Sequence, residues 1–281
     1  MSEKTKAVEE VILKAKPESA EIIRVLTQQG LAASFRQYWV EWKRHTVLVL
    51  GFSGAGKTSM LRSTFGIVEP EEDLGKPTGD VRLYMLRPGK TTFRVSDTPG
   101  HPILRRRLDK EIARLVRGDY QGVIDVVAYG YNESKHLSSL VKEADPESLA
   151  RYKNEYQPVS STGQVNARYV RRERELELAY LKSWARRVGR QSKLKWVITV
   201  VNKADLWRKH RAEALDHYQG NGEYAAVFKE EFPDIPHDVC PLSCSTDGFY
   251  NLRPPSPGPK FEAWRREMSE ALVSKLHSRL S

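Results

Sequence analysis

Three glycines, a lysine and a threonine stand directly behind a short apolar run in "LVLGFSGAGKTSM", residues 48–60. Gly51, four further residues, then Gly56, Lys57 and Thr58 reproduce the phosphate-loop spacing, in which backbone N–H groups wrap around a polyphosphate. The spacing specifies phosphate and leaves the attached base open.

Two downstream stretches narrow the ligand. In "SDTPGH", Asp97 ends an apolar strand, where a carboxylate can hold a magnesium-bound water. Gly100, three residues on, can bring a backbone N–H to a terminal phosphate. Alone such a turn is ordinary; behind a phosphate loop it is not. In "NKAD", residues 202–205, a second loop leaves another apolar strand. Loops at the carboxyl ends of parallel strands converge on one crevice, so Asp205 and Lys57 can meet the same ligand. A carboxylate there accepts two N–H bonds, from guanine N1 and N2. Adenine offers neither and would leave the carboxylate unpaired.

The ordered set "GFSGAGKT", a switch threonine, "DTPG", "NKAD" and "LSCS" resembles the guanine-nucleotide-binding domain of TRAFAC-class P-loop GTPases. That class includes Era-like and TrmE-like proteins, translation factors and the Ras superfamily. The resemblance spans roughly residues 45–280 and selects no subfamily. It implies GTP or GDP as ligand and Mg²⁺ as cofactor. By the same resemblance, the backbone of Gly54, Ala55, Gly56, Lys57 and Thr58 cradles the phosphates, Ser53 and Ser59 bind the nucleotide beside it, and Lys57 contacts the β- and γ-phosphates. Thr58 ligates Mg²⁺, as does Thr78 of "EPEEDLGKPTGD" in the triphosphate state, while Asp97 acts through water. Asn202 braces the loop, Lys203 stacks along the base and Asp205 selects guanine. Ser243 and Cys244 bring a backbone amide to guanine O6.

The resemblance also implies hydrolysis. His101 follows the switch glycine, as in translation-factor GTPases, where a histidine positions the attacking water; the alternative is a solvent-facing histidine in a loop. Pro102 restricts the backbone beside it. TrmE-type, potassium-dependent members carry asparagine where this chain has Gly54, which argues against potassium activation. Arg105, Arg106 and Arg107 could serve as an arginine finger or a partner patch, and by default are the exposed face of a helix.

The elements that must position these residues are legible as alternating patterns. "TVLVL" reads as a buried strand entering the loop, and "TSMLRSTFG" as the helix leaving it. "DVRLYML" and "TTFRVSD" flank the "RPGK" turn as a hairpin. "GVIDVVAYG", "KWVITVVNKAD" and "HDVCPLS" supply further strands. Strands alternating with charged helical stretches predict an α/β fold, a mostly parallel sheet flanked by helices. A crossover needs far fewer residues than lie between Tyr129 and Trp196, which marks an insertion at about residues 131–163. "QVNARYVRRERELELAYLKSWARRV" then reads as the crossover helix, with Leu178, Leu181, Ala185 and Val188 facing the core. "NLRPPSPGPK" connects to a C-terminal helix. Residues 1–44 read as a helical extension whose Phe35, Tyr38, Trp39 and Trp42 pack on the domain or contact a membrane or partner; residues 45–281 are the nucleotide-binding domain.

The chain has 281 residues and two cysteines, Cys240 and Cys244, which exclude a disulfide scaffold and suit a reducing cytoplasm. No apolar run approaches the roughly 18 residues needed to span a bilayer. A formal charge of +10 permits RNA, ribosome or anionic-membrane partners. A protein effector or activator acting through the switch regions is a further expectation.

Overall fold

The computed structural model describes residues 46–65, 82–86, 93–97, 105–133, 157–159, 164–189, 193–244 and 258–280. The N-terminal extension, Thr78, Gly100, His101 and most of the expected insertion lie outside them. Six strands form one sheet: β1 (Thr46–Gly51), β2 (Arg82–Leu86), β3 (Phe93–Asp97), β4 (Gly122–Val127), β5 (Trp196–Val201) and β6 (His237–Pro241). Their order is β2-β3-β1-β4-β5-β6. Five run parallel, and the hairpin read around "RPGK" gives the antiparallel edge, with Arg82 opposite Asp97 and Leu86 opposite Phe93.

β1, β4 and β5 are buried at every position. Strands buried on both faces require helices above and below, as crossover connections supply. The helices are α1 (Lys57–Phe65), α2 (Arg105–Arg117), α3 (Ala167–Val188), α4 (Ala204–Trp207), α5 (Arg211–Gln219), α6 (Glu223–Glu231) and α7 (Pro259–Leu280). α2 and α6 both pack against α3. Thr64 of α1 and Ser269 of α7 line one groove.

Local signals explain α3. The Asn166 side chain accepts from the Arg168 N–H at 3.0 Å, and Gly189 ends the helix by donating to the Ala185 carbonyl. Such a cap stabilises a helix by about 1 kcal/mol. Leu178, Leu181, Ala185 and Val188 are buried as their spacing predicts. Trp184 joins them, its ring centroid 6.2 Å from Phe228 and 5.6 Å from Phe232. α7 buries Met268, Leu272 and Leu276, each burial contributing roughly 1.5–3 kcal/mol. Its C-terminal half is tied to β6 by Asp238, which accepts from Lys275 at 2.8 Å and Arg279 at 2.6 Å. Just before α3, Val159 and Val165 form an antiparallel bridge. The residues flanking 160–163 thus return to one another. No helix among the described residues is long and apolar enough to cross a membrane.

Candidate functional site

Register brings the site together. Gly51 pairs with Val126, Val127 with Val201, and Val201 with Pro241, so β1, β4, β5 and β6 end along one edge of the sheet. Four loops therefore leave from the same edge: residues 52–56, 128–133, 202–203 and 242–244.

The first loop is shaped by glycines where nothing else fits. Gly54 has φ +79°, and a Cβ there would sit 2.5 Å from the Glu133 backbone. Gly56 has φ +89°, and its Cβ would fall 2.4 Å from Asn202 Nδ2. Both positions combine a left-handed backbone with a close approach, which only glycine accommodates without strain. Lys57 opens α1 and is 8 % exposed. Its Nζ donates to the Gly51 carbonyl at 2.9 Å and to that of Phe52 at 3.3 Å. The ammonium is thus folded back over the loop it follows. Thr58 is half-buried one residue further on, Ser53 is half-buried and Ser59 exposed.

Asn202 joins this loop to the one that leaves β5. Its Nδ2 donates to the Ala55 carbonyl at 3.0 Å, and its Oδ1 accepts from the Lys203 N–H at 2.8 Å. Lys203 adopts φ +58°. Its Nζ donates to the Tyr131 carbonyl at 2.8 Å and lies 3.8 Å from the Glu133 carboxylate. Burial lowers the Lys203 pKa, while Glu133 and Asp205 pull it back up. Asp205 sits in the first turn of α4 and accepts the Ser243 hydroxyl at 2.8 Å. Burial holds its carboxyl above the ordinary range despite that bond. The Ala204 N–H donates to Leu242 at 2.9 Å, stitching the second loop to the exit of β6. Burial pushes the Cys244 thiol up to about 12, so it stays protonated near neutrality.

Lys57, Asn202, Lys203, Asp205 and Ser243 are thus gathered at one edge. The Asp97 backbone lies beside Val49 on the neighbouring strand, and its side chain is outside the described atoms. The spacing of "NKAD" gave no hint of Tyr131 and Glu133, because the contact uses a main-chain carbonyl and a residue from a third loop. Glycine at 130, with φ +82°, was the only local signal of a tight turn there.

Residues 46–159 match the family model described as 50S ribosome-binding GTPase. Over that stretch the chain is similar to a P-loop GTPase domain. The ribosome in that description belongs to the family and is not thereby assigned to this chain. The match ends before Asn202, so the position of the loop at residues 202–203 comes from the sheet register. The chain has no match among curated proteins. Bacterial selenocysteine-specific elongation factor EF-Sec is 16% identical with a TM-score of 0.42, covering 82% of this chain and 29% of that one. A GTP-binding protein from the archaeon Sulfolobus solfataricus, solved with GDP, is 15% identical with a TM-score of 0.40, covering 98% and 68%. The small GTPase Arl6 from Trypanosoma brucei, solved with a nucleotide analogue, is 12% identical with a TM-score of 0.36, covering 81% and 98%.

Behind the loops lies a group of buried acids that sequence patterning did not reveal. Glu173 is 4 % exposed on α3. Burial, then the neighbouring Glu177, raise its pKa to about 8, against the Asn132 amide, Arg172 and Lys203. A carboxyl near 4.5 when unfolded and near 8 when folded resists ionisation in the native state. Its contribution to stability is therefore complete below pH 4.5 and is lost as pH rises through 8. Glu173→Gln cannot ionise, so its stability relative to the wild type is expected to rise by on the order of 3 kcal/mol between pH 5 and pH 9. Urea midpoints of both chains at the two pH values check this; an unchanged difference would refute it.

Proposed function

We propose that this chain binds GTP with Mg²⁺ at the sheet edge, hydrolyses it to GDP and phosphate, and acts as a nucleotide-dependent switch. The observation that carries the reading is Asn202. Its side chain holds the phosphate loop at Ala55, while Asp205, three residues on, is oriented by Ser243. One loop thereby fixes the spacing between a phosphate cradle and a carboxylate suited to guanine N1 and N2.

In this reading the N–H groups of residues 53–59 surround the phosphates, and Lys57 swings from the Gly51 carbonyl to the β- and γ-oxygens. Thr58, Thr78 and, through water, Asp97 would hold Mg²⁺; an all-oxygen donor set suits that hard cation. The ion would neutralise charge on the phosphates. Lys203 lines the base, and Ser243 and Cys244 carry the amide that faces guanine O6. Gly100 and Thr78 touch the γ-phosphate only while it exists, so hydrolysis releases both segments to a protein effector or activator. His101 orients the attacking water. A cytoplasmic location accords with two free thiols.

The test is to identify the nucleotide that co-purifies and then to compare phosphate release from GTP and ATP. Guanine nucleotide and GTP-selective turnover are expected. His101→Ala is expected to lower turnover about 100-fold, the usual contribution of a positioned acid–base group, with binding nearly intact. Adenine nucleotide on the protein would refute the assignment, and an unchanged rate in the variant would remove His101 from the mechanism.

A further inference from the structure

The turn after β4 is held from below and holds two parts of the site above. From below, a single buried carboxylate does most of the work: Glu177 of α3 is 2 % exposed. Its Oε1 accepts the Ala128 N–H at 2.8 Å, the Gly130 N–H at 3.4 Å and the Asn132 Nδ2 at 2.8 Å. Its Oε2 accepts the Tyr218 hydroxyl at 2.8 Å, and that hydroxyl oxygen in turn accepts the Tyr129 N–H at 3.1 Å. Tyr169 donates to the Asn132 carbonyl at 2.6 Å. The turn has no freedom to bend otherwise: Tyr129 and Gly130 both have positive φ, and a Cβ on Gly130 would lie 2.1 Å from the Val170 carbonyl.

From above, the same six residues meet both nucleotide loops. The Glu133 N–H donates to the Gly54 carbonyl at 3.3 Å, against the corner where a Cβ would collide with Glu133. The Tyr131 carbonyl accepts the Lys203 ammonium. Glu177 touches neither loop itself.

We infer that Glu177 is a positioning residue for guanine-nucleotide retention: by gathering three donors of residues 128–133, it holds the turn as a common brace for Gly54 and Lys203. The inference rests on the GTP reading above. If the turn is released, Lys203 loses its carbonyl and the Gly54 corner loses its backing, and the nucleotide is held less firmly at both ends. Glutamine keeps an acceptor oxygen for the three donors of the turn and gives up only the bond from the Tyr218 hydroxyl. Leucine keeps the volume and leaves all the donors unpaired, which is the costly outcome for buried N–H groups.

The experiment is dissociation of fluorescent mant-GDP from the full chain, measured well below the melting temperature of each variant. Glu177→Leu is expected to release it at least about 10-fold faster, Glu177→Gln within about 3-fold of wild type, and Asn132→Ala about 5-fold faster. A residue that only stabilised the fold would lower the melting temperature and leave these rates alone. Wild-type release from folded Glu177→Leu, or release from Glu177→Gln as fast as from the leucine variant, overturns the inference. Should Glu177→Leu not fold, Asn132→Ala decides: faster release supports the brace and an unchanged rate overturns it. A wild type that holds no guanine nucleotide at all overturns the underlying GTP reading, which is a different failure from equal rates.

Discussion

Asp205→Asn is expected to weaken GTP binding by roughly 10²- to 10⁴-fold and to make xanthosine triphosphate the preferred ligand. The aspartate accepts; it can satisfy both the ring N–H and the exocyclic amine of guanine. An asparagine presents one acceptor and one N–H₂ donor, which faces the guanine amine with another donor. Xanthine has a carbonyl in place of that amine and restores the pair. The Ser243 hydroxyl, 2.8 Å from Asp205 Oδ1, fixes the side chain and leaves little room for it to rotate away from the mismatch. Because burial already holds the Asp205 carboxyl above its ordinary range, two guanine N–H donors would also favour its charged form. Titration of both nucleotides into wild type and variant checks the exchange; a variant that keeps wild-type GTP affinity would contradict the role of Asp205.

Lys57→Ala is expected to reduce nucleotide affinity by about 10²- to 10³-fold, the loss of charge-assisted bonds to phosphate. The lysine is pre-positioned at the start of α1, its Nζ already 2.9 Å from the loop carbonyl of Gly51. Its removal takes away the cation, the buried stem that carries it and the bonds to the Gly51 and Phe52 carbonyls. Melting without nucleotide should therefore fall somewhat, while the further rise that bound nucleotide produces should vanish. Thermal melting with and without GDP separates the two; a retained nucleotide-dependent rise would show that Lys57 does not meet the phosphates.

These expectations were open to sequence reading because the chemistry there is local. The loop glycines, Lys57 and the "NKAD" tetrapeptide each lie in one short stretch, and the apolar strands before them set where they end. The α3 stripe was legible for the same reason: Leu178, Leu181, Ala185 and Val188 recur at helical spacing and are buried. Glu173 and Glu177 were not. A carboxylate between apolar helical positions looks like a solvent-facing residue, and the donors that accommodate Glu177 lie on the turn after β4 and on α5, out of reach of any periodicity. The brace at Gly54 and Lys203 was hidden for a related reason. It is made by the main chain of Tyr131 and Glu133, and main-chain partners carry no residue signature. Trp184 shows the intermediate case, an apolar residue on the expected face whose partners are Phe228 on α6 and Phe232 just after it, which only the fold brings near.

Competition for bound fluorescent GDP in the presence of Mg²⁺ puts the central claim to its most direct test. GTP and GDP should displace the label stoichiometrically, and ATP and ADP should fail to do so even at about 1000-fold excess, since they leave the Asp205 carboxylate unpaired. Equal displacement by ATP, or no binding of the labelled nucleotide, would contradict the account.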